Sequence, residues 1–188
     1  VMGQDTLAVE KFVTDLQNLI KSLDKRSLKG WIVDLRLNSG GNCYPMLAGI
    51  GPLIGDGIVG YLIDNNNHKT SLSYKDGASY EGDTVRAWIK GKPYKLIKKK
   101  PIAILIDPFT ASSGEIVAIA FKGIPHCKFF GLPTTGLTTG NEQFILSDKS
   151  ILYLTTTIDA DRNLNLYGGK IYPDSEISSK NQASYEGS

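Results

Sequence analysis

The stretch GWIVDLRLNSGGN, residues 30–42, decides the fold. Its first seven residues form a short apolar run of the kind that makes a buried strand. The run stops at residues 38–42, where Asn, Ser and paired Gly suit a tight turn with positive φ. Residues 44–54, apolar on almost every side, then predict a helix. A strand, a glycine turn and a helix in this order point backbone N–H groups towards the turn.

A second unit of the same kind lies later in the chain. Residues 101–107 repeat the buried-strand pattern, residues 108–115 form a turn rich in Ser and Gly, and residues 116–122 predict a helix. Before the first unit, apolar residues at steps of three and four from Val9 to Leu23 predict an amphipathic helix. Strand-like runs follow at residues 128–131, 143–146 and 151–158. The sequence therefore predicts an α/β core of stacked strand-turn-helix units.

Residues 56–100 have a different character. Strand-like runs at residues 58–63, 69–74 and 84–89 are separated by turns, and six lysines close the segment. We interpret this segment as a hairpin-rich excursion within one domain spanning residues 1–188, not as a separate domain. We expect the lysines to form a solvated edge.

Composition excludes several classes of function. The 188 residues carry a formal net charge of +2, with no arginine-rich stripe and no zinc-ligand spacing, so we expect neither nucleic-acid binding nor a metal. No apolar run approaches the roughly 20 residues that span a bilayer, so we expect no membrane contact by this chain. The two cysteines, Cys43 and Cys127, are too few for a disulfide scaffold. Nothing in the sequence indicates a cofactor.

The candidate chemistry lies at the two turns. Ser112 and Ser113 sit at a strand-to-helix turn, where a hydroxyl can act as a nucleophile and backbone N–H groups can receive an oxyanion. Ser112 also lies three residues before Glu115, a capping-box pattern, so this stretch alone equally predicts an ordinary helix start. The Gly40-Gly41 turn could cradle phosphate, but its spacing matches no nucleotide motif. Together the two turns favour acyl transfer.

Four motifs in order make a family resemblance. Residues 34–41 (DLRLNSGG), 110–115 (TASSGE), 131–136 (GLPTTG) and 171–174 (IYPD) resemble the motifs of the C-terminal processing, or tail-specific, serine peptidases. The stretches GGNCYPM and TASS are most similar to the nisin-resistance branch, whose members cut a lanthionine-bridged peptide near its C-terminus.

The resemblance implies a crotonase/ClpP-like fold and a site. Ser112 would be the nucleophile, and the N–H groups of Ser113 and of Gly40 or Gly41 would hold the oxyanion. Asp34 and Arg36 would be structural. The partner would be a peptide or protein substrate, and the location would be extracellular or at a bacterial cell surface, with a parent protein that could be anchored to a membrane.

The sequence departs from the family pattern at the general base. The main branch places a lysine where this chain has Leu137, which cannot accept a proton, so histidine is the remaining choice. His68 lies in an Asn-rich turn, and His126 follows the helix that Ser112 begins, at the opposite end of that layer. Residues 167–170 also lack the glutamate of the tricorn-like branch. We therefore expect a Ser-His dyad whose histidine lies upstream of this chain, the isolated chain being an inactive fragment.

Two other functions fit the same fold. A non-catalytic module could bind a ligand or peptide without cutting it. An acyl-CoA enzyme of the crotonase type could use paired N–H groups to hold a thioester enolate, with no need for a serine nucleophile.

Overall fold

The computed structural model describes residues 6–177, which form three helices and ten strands. The helices are α1 (Thr6–Leu23), α2 (Cys43–Ile54) and α3 (Ser113–Phe121). The strands are β1 (Trp31–Asp34), β2 (Gly57–Asp64), β3 (Lys69–Lys75), β4 (Ala78–Glu81), β5 (Thr84–Trp88), β6 (Ile102–Ile106), β7 (Cys127–Gly131), β8 (Thr139–Ile145), β9 (Ile151–Asp161) and β10 (Ser175–Glu176).

The two strand-turn-helix units build a parallel sheet. Its strand order is β1-β6-β7-β10, and β1 pairs with β6 from Trp31 opposite Ile102. Ile104 and Ile106 of β6 are completely buried, as the continuous apolar run predicted. Because the strands are parallel, the turns that follow β1 and β6 meet at one edge of the sheet.

The second sheet is antiparallel and six-stranded, in the order β5-β4-β3-β2-β9-β8. The predicted excursion supplies four of these strands, and β9 from the other end of the chain pairs with β2. The excursion therefore continues into the main body of the fold. Two strands were not predicted: β4 and β10 have four and two residues, too short for a visible alternation. β8 begins at Thr139, four residues earlier than predicted, because Gly140 pairs with Thr157.

The helices join the two sheets through one hydrophobic core. A single cluster of buried side chains includes Leu47 of α2, Val117 of α3, Leu72 of the antiparallel sheet and Ile104 of the parallel sheet. α3 begins at Ser113, three residues before the predicted start, and packs against β2 and β9. Within residues 6–177, no helix has both the length and the apolar character needed to cross a membrane.

Candidate active site

The turn between β6 and α3 holds Ser112 in a strained backbone conformation. Its φ of 51° and ψ of −121° are rare for a residue with a side chain, and such conformations cost on the order of 1–3 kcal/mol. An ordinary N-cap residue has extended dihedrals instead. The capping box is also formed, since the N–H of Ser112 donates to Glu115, so this serine begins the helix in a conformation that an ordinary cap does not need.

The turn after β1 lies directly against Ser112. Gly40 has a φ of 111°, and a Cβ added there would come 3.0 Å from the Cβ of Ser112 and 3.3 Å from the backbone nitrogen of Ser113. The Ser113 hydroxyl donates to the carbonyl of Gly41 at 2.6 Å. Only a glycine lets the two turns approach this closely. The structure thus brings together all four residues that the sequence predicted for the site.

Asn38 fastens the two turns to each other. Its carbonyl accepts the N–H of Ala111 at 3.0 Å, and its side-chain oxygen accepts the N–H of Gly40 at 3.2 Å. A Cβ on Gly114 would lie 2.3 Å from the same carbonyl, so Gly114 is required for this contact. Sequence reasoning placed Asn38 only in a motif, without a role of its own.

Glu115 is the central carboxylate of the site, and sequence reasoning saw in it only a capping residue. Its side chain is completely buried. One carboxylate oxygen accepts the N–H of Ser112 at 2.9 Å and the N–H of Leu137 at 2.7 Å. The other accepts the N–H of Gly136 at 2.9 Å and the hydroxyl of Thr134. Four donors satisfy the buried charge, as burial of a carboxylate requires.

The two remaining motifs, residues 131–136 and 171–174, hydrogen-bond to each other and so hold the donors to this carboxylate in place. The Thr134 hydroxyl accepts the N–H of Ile171 at 2.8 Å, and the N–H of Thr134 donates to the Ile171 carbonyl at 3.1 Å. Asp174 accepts the N–H of Phe129 at 2.7 Å, which anchors the closing Pro-Asp motif to β7. The four sequence motifs are therefore neighbours in space at one edge of the parallel sheet.

Asp34 and Arg36 form a bidentate ion pair at the end of β1. The guanidinium donates to the two carboxylate oxygens at 2.9 and 2.7 Å. This pairing lowers the pKa of Asp34, chiefly through the hydrogen bonds from Arg36. Their position at the strand end agrees with the structural role that the family resemblance implied.

The histidines within the chain make no hydrogen bond to the nucleophile. Leu137 occupies the lysine position, and its side chain is 54% exposed. The carbonyl of His126 accepts the N–H of Ile102 at the start of β6, whereas Ser112 follows the end of that strand; the five residues of β6 span roughly 17 Å. His68 is exposed in the turn after β2. Among residues 6–177, no hydrogen bond joins either imidazole to Ser112.

A second buried carboxyl group, Asp159, lies below α3. Neither of its oxygens has a hydrogen-bond partner among the described residues, and it lines a small cavity with Gly60, Ile116 and Ile119. Burial, and to a lesser extent the nearby charge of Glu115, raises the pKa of Asp159 to about 7. Sequence reasoning missed Asp159, because an aspartate in a strand carries no signal of its burial.

Fold and site together define a class of protein. An α/β core that presents a strained serine at a strand-to-helix turn, beside a glycine turn, has the architecture of a serine hydrolase. The model of peptidase family S41 matches residues 6–177, and the chain belongs to that family. This confirms the resemblance to the C-terminal processing peptidases and the predicted α/β fold.

Known relatives agree with this assignment. The chain is 37% identical over 175 residues to the nisin-resistance protein of Lactococcus lactis subsp. lactis, covering 92% of this chain and 54% of the relative. It is 27% identical over 152 residues to the carboxy-terminal processing protease CtpA of Bacillus subtilis, covering 81% and 29%. The chain thus spans about half of the first relative, at 54% of its length.

Solved structures show the same fold. A lipoprotein from Streptococcus agalactiae superposes with a TM-score of 0.74 and 32% identity, over 99% of this chain and 62% of that one. The photosystem II D1 C-terminal processing protease superposes with a TM-score of 0.64 and 19% identity, over 89% and 39%.

Proposed function

We propose that the whole protein is a serine endopeptidase that cleaves a peptide or protein substrate near its C-terminus, with Ser112 as nucleophile. The observation that carries the proposal is the strained backbone of Ser112, with a φ of 51°, held against the glycine turn of β1. Such strain persists only where surrounding contacts enforce it, and it is typical of functional sites.

The oxyanion hole is assigned to the N–H of Ser113 and the N–H of Gly41. Ser113 is the first residue of α3, where backbone N–H groups and the helix dipole favour negative charge. The N–H of Gly40 already donates to Asn38, which makes Gly41 the better donor of the two glycines. The role of Gly40 is then to allow the close approach to Ser112.

The general base is assigned to a histidine outside residues 1–188. Leu137 cannot accept a proton, His126 lies at the opposite end of β6 from Ser112, and the exposed His68 makes no hydrogen bond to Ser112. The histidine would take the proton from the Ser112 hydroxyl as its oxygen attacks the scissile carbonyl. It would then give that proton to the leaving amine, and water would release the acyl group from Ser112 in a second cycle.

Family membership favours this function over the two alternatives. An acyl-CoA enzyme needs no nucleophilic serine, yet here Glu115 and Asn38 both hold the serine turn in place. A non-catalytic module would not require the strain at Ser112. We also place the protein outside the cytoplasm, at the cell surface or secreted, because one similar structure is that of a lipoprotein.

The test is labelling with a fluorophosphonate probe, which reacts with activated serines. We expect the full-length protein to be labelled at Ser112, and the Ser112→Ala variant to be unlabelled. Ser113→Ala is the matched control, since it removes a neighbouring hydroxyl and the hydrogen bond to Gly41 while keeping its N–H; it should retain most of the labelling. Equal loss in both variants would reject Ser112 as nucleophile, and an unlabelled wild-type protein would favour the non-catalytic module.

A further inference from the structure

β8 and β9 extend past the rest of their sheet as a two-stranded ribbon, residues 141–155. β2, the neighbouring strand, pairs with β9 only between Thr157 and Asp161. Apolar side chains of this ribbon, among them Phe144, Leu152 and Leu154, are exposed. Since a two-stranded ribbon is marginally stable alone and exposed apolar patches mark binding sites, this ribbon is a candidate contact surface.

The ribbon projects past the end of α3 that carries Ser112. Arg162, just after β9, donates to the carbonyl of Ala120 near the end of α3. Asp159 lines a cavity with Ile116, near the start of that helix. Moving backwards along β9 therefore leads from the end of α3 towards its beginning. Leu154 lies five residues before Asp159 in the chain, a distance of roughly 17 Å along a strand. It therefore lies beyond the start of α3.

The apolar face of the ribbon continues the inner face of the sheet. Gly140 pairs with Thr157, and a Cβ on Gly140 would approach Leu62 of β2. Leu62 pairs with Asp159 on the face that meets α3. The register shift between Gly140 and Asn141 places its extra residue, Thr156, in β9, so β8 keeps its alternation and Phe144, four residues after Gly140, shares this face. α3 begins next to Ser112, and beyond that end of the helix the face is left uncovered.

β8 also offers an open backbone edge. It is the last strand of its sheet, and no other strand within residues 6–177 pairs with its outer side. The N–H of Leu146 donates to Ser150 across the ribbon at 2.9 Å. Bonded positions alternate in an antiparallel pair, so Phe144 and Glu142 bond inwards to β9. The N–H and C=O groups of Asn141, Gln143 and Ile145 point outwards.

This edge is continuous with the nucleophile turn. Leu137 donates its N–H to the Glu115 oxygen that also binds the N–H of Ser112. Two residues later, at Thr139, β8 begins. The same short segment thus leads from the carboxylate that positions Ser112 into a strand with unused donors and acceptors.

We propose that the outer edge of β8, from Asn141 to Ile145, binds an extended segment of the peptide substrate as an added β-strand. The inference rests on the proposed peptidase function and specifies its substrate as an unfolded, extended main chain. Backbone pairing would supply affinity with little dependence on sequence, and the uncovered apolar face would favour apolar side chains. Its connection to Ser112 through Leu137 and Glu115 favours the substrate as occupant over a second copy of the chain.

The test uses the full-length protein and the variant Gln143→Pro. Proline removes one outward N–H and no bond to β9, and edge strands tolerate it. Gln143→Ala is the matched control, because both variants lose the side-chain hydrogen bond to Tyr153 and only the proline loses the backbone donor. We expect kcat/KM for an extended apolar peptide of about eight residues to fall roughly tenfold in Gln143→Pro. Gln143→Ala should stay near the wild-type value.

Two readouts separate failure of this inference from failure of the proposed function. Fluorophosphonate labelling of Ser112 does not use the edge, so its rate should be equal in wild type and both variants. Normal labelling with the same kcat/KM in Gln143→Pro and Gln143→Ala would overturn the strand-addition site and leave the peptidase intact. No labelling of the wild-type protein would overturn both.

A second experiment leaves the protein unchanged, so it remains valid if Gln143→Pro misfolds. Substrate peptides are N-methylated at one position at a time. An added strand directs alternate N–H groups to the enzyme, so kcat/KM should fall at every second position. Equal losses at all positions would overturn the inference. So would a dimer that dissociates in Gln143→Pro without any change in kcat/KM, since the edge would then serve self-association.

Discussion

The N–H of Leu137 lies 2.7 Å from the Glu115 oxygen that also accepts the N–H of Ser112. The position where related peptidases carry a lysine is therefore tied by its backbone to the nucleophile turn. Its side chain, by contrast, points into solvent and is 54% exposed. In this chain the segment supports the nucleophile turn through its main chain, and Leu137 offers no side chain suited to proton transfer.

Replacing Glu115 with glutamine should damage the site and the fold together. The amide nitrogen would face N–H donors in place of an accepting oxygen, leaving buried groups unpaired. We expect the free energy of unfolding to fall by about 3 kcal/mol, measured by urea denaturation of the chain. Glu176→Gln, at an exposed position, should change it by less than about 0.5 kcal/mol. Equal values for the two variants would show that the four hydrogen bonds to Glu115 contribute nothing net.

Replacing Leu137 with lysine should not activate the isolated chain. A lysine acts as a base near neutral pH when burial or a neighbouring positive charge lowers its pKa, and an exposed lysine keeps a pKa near 10.4. We expect no fluorophosphonate labelling of the Leu137→Lys variant above the level of Ser112→Ala. Labelling at Ser112 would mean that the lysine reaches a desolvated position, and that this site functions like the lysine branch.

Alanine at Gly40 should be far more damaging than alanine at Gly41. Both residues have φ above 100°, so both substitutions strain the backbone. A Cβ at Gly40 would also lie 3.0 Å from the Cβ of Ser112 and 3.1 Å from the carbonyl oxygen of Ala111, so these neighbours would have to move, whereas a Cβ at Gly41 would meet only Met46, at 3.9 Å. In the full-length protein we expect the labelling rate at Ser112 to fall roughly 100-fold for Gly40→Ala, because the nucleophile is displaced, and much less for Gly41→Ala. If Gly41→Ala lowered the labelling rate more than Gly40→Ala, then Gly41 would be the residue that permits the close approach to Ser112.

The strain at Ser112 should be measurable as lost stability. Glycine adopts a φ of 51° without penalty, and both Ser112→Gly and Ser112→Ala remove the hydroxyl. We expect Ser112→Gly to unfold with a free energy about 1 kcal/mol higher than Ser112→Ala, after the entropy cost of glycine in the unfolded chain. Thermal denaturation of the two variants side by side provides the comparison. A less stable glycine variant would show that the turn is not strained.

Asp159 should make stability depend on pH. Its pKa in the folded chain is raised to about 7, from an ordinary value of 3.8. Its contribution to stability is therefore fully present below about pH 4, decreases as the pH rises, and is lost above about pH 7. The stability of Asp159→Asn relative to wild type should rise across this range, by at most about 4 kcal/mol. Urea denaturation at pH 4, 6 and 8 measures it, and a constant difference would mean that Asp159 titrates normally.

Periodicity and motifs predicted much of this molecule. The continuous apolar runs gave the positions of β1 and β6, because strands covered on both faces have no polar alternation. The turns at Gly40 and Ser112 could be recognised because glycine and hydroxyl residues mark sharp strand-to-helix turns. Their mutual contact followed from the parallel sheet, which brings both turns to one edge.

What the sequence did not reveal depends on contacts between distant residues. Glu115 looks like any helix-capping residue until the turn at 134–137 folds over it and supplies three of its four donors. Asp159 follows a run of threonines in a strand, and only the packing of α3 above it removes water. The join between the excursion and β9 is likewise a pairing of segments about 100 residues apart, which no local pattern encodes.

The hydrogen bond from Ser113 to Gly41 joins residues 72 positions apart in the chain. The loop between these residues must close before the bond can be made. A chain in which this loop is still open would hold Ser112 apart from the glycine turn that the proposed oxyanion hole uses. The proposed site would thus exist only in the completed tertiary structure, and neither turn would carry it alone.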